Sequence, residues 1–189
     1  MNKKQLSKSL ISALSVLLLL SGCGETATSK PSIQPEDTNQ TGTYSTQKNE
    51  SSDDILIKEI NAAQKSLDIA AYLITKEDMA NAILDAKKRG IDVRVITDSE
   101  KSNSKTQKEI LDKFKQSGIP IKINTPTGLT HLNFIIIDNA EALGGSYNYL
   151  EDGANENDAS TIMKKPDIVK EYSVGFNSMW NNTNDFDNY

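Results

Sequence analysis

From residue 52 onward the apolar positions switch repeatedly between helical spacing and the short runs or alternation of strands. Asp53 to Gln64 puts Leu56, Ile60 and Ala63 on one helical face. Ser66 to Ile74 reads as a strand. Glu77 to Arg89 returns to helical spacing through Met79, Ile83, Leu84 and Ala86. Gly90 stands where a helix commonly ends in the left-handed conformation. Ile91 to Thr97 alternates as a strand. Lys105 to Gln116 predicts a helix with Ile110, Leu111 and Phe114 inward, then a Ser-Gly turn. Ile119 to Asn124 is a further strand. Phe134-Ile135-Ile136-Ile137 is a short apolar run that predicts a buried strand, and Ala142-Leu143 a second short one. Ser160 to Met163 predicts a last strand, and Pro166 to Trp180 a final helix with proline in its first turn. Repeated β-α-β order predicts an α/β sandwich with a mostly parallel or mixed sheet.

The first 51 residues follow different rules. Lys3, Lys4 and Lys8 precede an apolar run from Leu10 to Leu20, too short to span a bilayer comfortably, which is the pattern of an export signal. The run ends in Leu20-Ser21-Gly22-Cys23, and Cys23 is the only cysteine, without a disulfide partner. This segment, residues 1–23, resembles a bacterial lipoprotein signal. The resemblance implies that Cys23 is acylated and becomes the mature N-terminus. The protein is then expected at the cell envelope, exported and lipid-anchored to a membrane on its periplasmic or extracellular face. Residues 24–51 are rich in Ser, Thr, Gln, Asn and Pro and read as a disordered polar tether. Residues 52–182 are the size of one domain with one core, and residues 183–189 read as a C-terminal tail.

Charge narrows the partners. The chain has 21 basic and 26 acidic residues, and removing the three leader lysines leaves 18 basic. Nucleic-acid binding rests largely on Lys and Arg neutralising phosphates, so an acidic domain is a poor generic binder. Arg89 and Arg94 are the only arginines. Lys87-Lys88-Arg89 sits where a helix dipole favours positive charge, and Lys164-Lys165 reads as a solvated loop pair. No Cys/His cluster has metal-ligand spacing.

Candidate chemistry is concentrated between Thr130 and Asn148, in the stretch THLNFIIIDNAEALGGSYN. It holds the one histidine, His131, an acid seven residues on, Asp138, and a Gly-Ser-x-Asn turn at Gly145, Ser146 and Asn148. This spacing resembles the signature of the phospholipase D superfamily: His-x-Lys, four residues, Asp, six residues, Gly-Ser-x-Asn. Asn133 stands where the family has lysine. Ala86 to Asp98, Ser117 to Pro120 and Trp180 extend the likeness, and with it the whole domain is similar to the small, single-motif, secreted Nuc-type endonucleases.

The resemblance implies a phospholipase D-like α-β-α sandwich and a hydrolase for phosphodiester bonds of nucleic acid or phospholipid, needing no metal or other cofactor. His131 is implied to attack phosphorus, giving a phosphohistidine, with Asp138 orienting it. Asn133, Ser146 and Asn148 are implied to bind phosphate oxygens, and Gly145 to form the turn. With one motif copy, a complete site implies a homodimer that sets one His131 against the other. Asn133 brings no charge, so turnover is expected to be weakened. The acid-Asn pair that such proteins carry a dozen or so residues after the Gly-Ser turn falls, without gaps, on Ala159 and Ser160, or with a shorter loop on Glu156-Asn157. The alternative is a catalytically inactive lipoprotein that keeps the fold for a binding or exclusion role.

Overall fold

Four α-helices and eight strands follow one another among the described residues, most of them where the apolar pattern predicts. The computed structural model describes residues 41–45, 52–125, 130–150 and 158–189. In chain order these form β1 (Thr41–Ser45), α1 (Ser52–Ala62), β2 (Ser66–Ala71), α2 (Glu77–Lys88), β3 (Asp92–Thr97), α3 (Lys105–Gln116), β4 (Ile121–Asn124), β5 (Asn133–Ile137), β6 (Glu141–Gly145), β7 (Ala159–Met163), α4 (Pro166–Asn181) and β8 (Phe186–Asn188). The strands make one mixed sheet in the order β1-β7-β6-β5-β2-β3-β4-β8.

The connections decide the strand directions. β2, β3 and β4 are joined through α2 and α3, and β2–β3 and β3–β4 are the parallel pairs. A parallel pair needs such a crossover. No helix separates β5 from β6, so these two run antiparallel, as do β2–β5 and β6–β7. The sheet is therefore mixed rather than mostly parallel. Both crossover helices end alike. Gly90 and Gly118 take positive φ (88° and 73°), and the amides of Ile91 and Ile119 reach back to the carbonyls of Ala86 and Phe114. This closing turn returns the chain directly into the next strand.

Alternation assigns the two faces. Leu67, Ile69, Val93, Val95, Ile135 and Ile137 pack with α1, α2 and α3 in the larger core. Ala70, Ile96, Phe134 and Ile136 face the other way, against Val169 and Phe176 of α4. The result is the expected α-β-α sandwich. On the α4 side Asp68 and Arg94, opposite one another on β2 and β3, form a two-pronged ion pair with both bonds at 2.7 Å. The guanidinium also meets Asn177 Oδ1 at 3.1 Å and lies over the rings of Phe176 and Trp180 at 4.9 and 5.2 Å. One arginine thus binds the helix to the sheet by charge, hydrogen bond and ring contact.

Three sequence expectations change. β1 lies inside the stretch read as a disordered tether and pairs with β7. β8 lies inside the stretch read as a tail and pairs with β4. The strand expected to reach Ile74 ends at Ala71, and beyond it Ile74 makes only an isolated parallel bridge with Tyr149. Among the described residues no helix is long and apolar enough to cross a membrane.

Asp68 is almost wholly buried, so removing it strands the Arg94 charge. Asp68→Ala is expected to lower stability by about 3 kcal/mol, measured by urea unfolding.

Candidate active site

The β5–β6 pairing sets Phe134 opposite Gly144 and Ile137 opposite Glu141. Residues just before β5 and just after β6 therefore meet at one end of the sheet. Ala71 pairs with Asn133 and, on its other side, with Thr97. That same end is consequently the carboxyl end of β2 and β3, the usual place for ligands in such sheets. His131 stands there, exposed, its ring edge-on to Tyr72 with centroids 4.5 Å apart and planes at 81°. Asn133 Oδ1 accepts from the Tyr72 amide at 3.3 Å, and its Nδ2 donates to Asn148 Oδ1 at 2.9 Å. Asn133 and Asn148 are thus brought together. Asn133 acts largely as a clip between the end of β2 and the turn after β6, while the bond sets Nδ2 as the donating end of Asn148.

A buried carboxylate governs the approach to His131. Asp98, at the end of β3, is fully buried. Its Oδ2 accepts from the amide of Thr130, next to His131, at 2.9 Å, and its Oδ1 accepts from the amide of Lys101 at 2.9 Å. Lys101 opens a short 3-10 turn, Lys101–Asn103, and lays its ammonium over the Tyr72 ring at 5.4 Å from the centroid. Hydrogen bonding to the Tyr72 phenol, followed by its electrostatic influence, raises the Lys101 pKa above the ordinary lysine value. The ammonium therefore stays charged throughout the neutral range.

Ser146 is held at the other side of the turn. Its Oγ donates to Asp158 Oδ1 at 2.6 Å and accepts from the Ala159 amide at 3.3 Å. The hydroxyl's one hydrogen is thereby committed to Asp158. Gly145 is needed for close approach rather than for a tight bend. A Cβ there would lie 2.0 Å from the Ala159 carbonyl oxygen, and Gly145 is not among the glycines at positive φ. Behind the turn, Tyr147 donates to Asp53, which pairs with Lys76 at 2.7 Å, both ions being largely buried. Burial first, then the Asp53 bond, pushes the Tyr147 phenol far up, so it remains a donor.

Asp138 does not orient His131. It lies at the opposite end of β5, roughly 20 Å away along the strand. Its carboxylate accepts from the amides of Gln64, Lys65 and Ser66 at 2.9, 2.7 and 2.9 Å. Asp138 and Asn139 both take positive φ (55° and 52°), and the Ala140 amide bonds the Ile137 carbonyl. This is the tight hairpin turn that Asp and Asn tolerate. Burial pushes the Asp138 carboxyl up, but the three amide bonds, Ser66 first, outweigh it and hold it below the usual range. Seven residues of extended chain put the motif acid beyond reach of the histidine.

Sequence reasoning missed Tyr72, Asp98, Lys101 and Asp158. Asp158 precedes by one residue the ungapped position considered for the family's acid, and only its bond to Ser146 distinguishes it. Cys23 and the Glu156-Asn157 pair lie outside the described residues. Among the described residues no three His, Cys, Asp or Glu side chains are grouped to hold a metal ion.

Comparison with known proteins gives a consistent picture. Residues 56–180 match the family described as "Cardiolipin synthase, PLD-like domain". The chain is 29% identical over 122 residues to mitochondrial cardiolipin hydrolase of Chlamydomonas reinhardtii, covering 64% of this chain and 54% of that protein. It is 29% identical over 108 residues to phospholipase D of Rickettsia prowazekii, covering 57% and 52%. The chain thus spans about half the length of the curated relatives it matches. Its fold is similar to the crystal structure of Nuc from Salmonella typhimurium, a phospholipase D family member, with a TM-score of 0.71, 22% identity, and coverage of 79% of this chain and 99% of that one.

Removing the Asp138 carboxylate leaves three amides at the head of β2 without their acceptor. Asp138→Ala is expected to lower stability by about 1–3 kcal/mol at neutral pH. Because the folded pKa is lowered, this contribution is present above the unfolded value of about 4. It is lost as pH falls through the folded value, so unfolding curves of the two proteins should converge in acid.

Proposed function

This chain belongs to the phospholipase D superfamily through its PLD-like domain at residues 56–180, and from that premise we propose that it is an envelope-anchored phosphodiesterase acting through His131. The observation that carries this reading is the placement of the chain's one histidine, exposed at the carboxyl end of the central parallel strands beside the Asn133–Asn148 clip. In the proposed reaction an imidazole nitrogen of His131 attacks phosphorus and the bond to the leaving oxygen breaks. His131 of the partner subunit gives that oxygen its proton. The partner subunit's His131 then takes a proton from water, whose oxygen attacks phosphorus and frees the first histidine. Two copies related by a two-fold axis supply both groups. Asn148 donates to a phosphate oxygen. Ser146 joins it only if the substrate displaces its bond to Asp158.

The same reading places the domain on a membrane. Residues 1–23 serve as a lipoprotein signal, Cys23 carries the acyl chains, and the polar stretch before the first strand holds the domain away from the surface. The substrate is a phosphodiester of phospholipid or nucleic acid. The relatives named cardiolipin hydrolase and phospholipase D support the first. The acidic composition gives little support to an extended nucleic-acid surface. Asn133 in place of the family's lysine favours a second reading, a domain retained for binding without turnover.

Hydrolysis of bis(p-nitrophenyl) phosphate by the full chain separates the two. Activity that falls by ~10³ or more in His131→Ala supports the enzyme; a native protein as inactive as the variant supports the binding reading. Parallel assays with cardiolipin vesicles and single-stranded DNA assign the substrate class. Separately, cells fed labelled palmitate are expected to label the native protein and not Cys23→Ser, and label on both would refute the anchor.

A further inference from the structure

The clip made by Asn133 poses a question about charge. Phosphodiester chemistry concentrates negative charge on the phosphate oxygens, and a cation there is worth more than a neutral donor. Asn133 supplies none, and its amide is already bonded to the Tyr72 amide and Asn148. The arginines are used elsewhere: Arg94 is paired with Asp68 under α4, and Arg89 donates to the Ile60 carbonyl at 3.1 Å. Lys76 is held by Asp53 at 2.7 Å.

Lys101 is differently placed. Its ammonium and the imidazole of His131 both lie against the ring of Tyr72, and the one Asp98 carboxylate binds the backbone at Lys101 and at Thr130. The side chain is 31% exposed, and its acidic neighbour, Glu100, stands 3.6 Å away and is 72% exposed. A pair so wet holds its ammonium weakly, so an incoming phosphate can compete for it. The turn around it is firm. Ser102 and Asn103 side chains both donate to the Ser99 carbonyl, and the Ser99 amide donates to Asn124.

From this juxtaposition we infer that Lys101, on the β3–α3 connection, is the phosphate-binding cation of the His131 site, supplying from a different part of the fold the charge absent at position 133. The inference rests on the reading of this site as one for phosphodiesters. Asn133 is then free to be a structural clip because the charge has moved.

Since His131 is the only histidine, its Hε1 proton gives one resolved NMR signal with which to follow binding of inorganic phosphate to the full chain. The native signal is expected to shift saturably. Lys101→Met should weaken the apparent affinity at least ~10-fold, as for loss of a charged hydrogen bond, and Lys101→Arg should largely retain it. Unchanged phosphate affinity in Lys101→Met, in a protein whose hydrolysis is abolished by His131→Ala, would overturn the role of Lys101 and leave the enzyme reading standing. A shift that depends on Lys101 in a native protein without hydrolysis would support Lys101 and overturn turnover. No shift in a native protein that also fails to hydrolyse would overturn both. A thermal melt close to native for Lys101→Met and Lys101→Arg confirms that these comparisons are between folded proteins.

Discussion

Strand β5 must lie against β2 in one register. A slip of one residue would turn Phe134 and Ile136 toward the three-helix layer and Ile135 and Ile137 toward α4. Apolar contact alone discriminates weakly between such similar side chains. Polar contacts at the two ends of the strand do discriminate. At one end the Asp138 carboxylate collects the amides that lead into β2. At the other, the Tyr72 amide meets the carbonyl of Leu132 and the side chain of Asn133. Holding this register is also what sets His131 beside Tyr72, so stability and site geometry share one constraint.

The site is built on rigid parts whose charges are mostly spent on structure. Asp98 must find donors because it is buried, and those it finds belong to segments on either side of the site. Asp68 and Arg94 satisfy one another between the sheet and α4. Asp53 links Tyr147 to Lys76 behind the Gly-Ser turn. This division of labour explains why an acidic chain with few arginines can still present a cation next to its histidine. It needs one lysine held by a firm turn, not a broadly basic surface.

Much of this was legible in residue order. The helices from Glu77 and from Lys105 were visible because Met79, Ile83 and Ala86, or Ile110, Leu111 and Phe114, recur at the helical period and a glycine follows each. Phe134 to Ile137 was visible as a strand buried on both faces. β8 was not, because Phe186-Asp187-Asn188 has no periodicity of its own and is a strand only through its pairing with β4. β1 escaped for a related reason: Thr41-Gly42-Thr43-Tyr44-Ser45 is polar, and its strand character comes from β7. Asp138 was located by its spacing but given the wrong neighbour, since a seven-residue interval across a strand says where a side chain stands along the chain and nothing of what lies opposite.

The sequence by itself determined the alternation of helices and strands, the α/β sandwich and the residue that stands at the centre of the candidate site. These follow from local periodicity and from a spacing pattern, both of which are properties of consecutive residues. Tertiary structure decided the mixed strand order and the pairing of Asn133 with Asn148. It also gave Asp138 to the hairpin turn and brought Lys101 to the ring beside His131. Such contacts join residues from 15 to 74 positions apart, and they exist only once burial has brought the separate elements into one sheet.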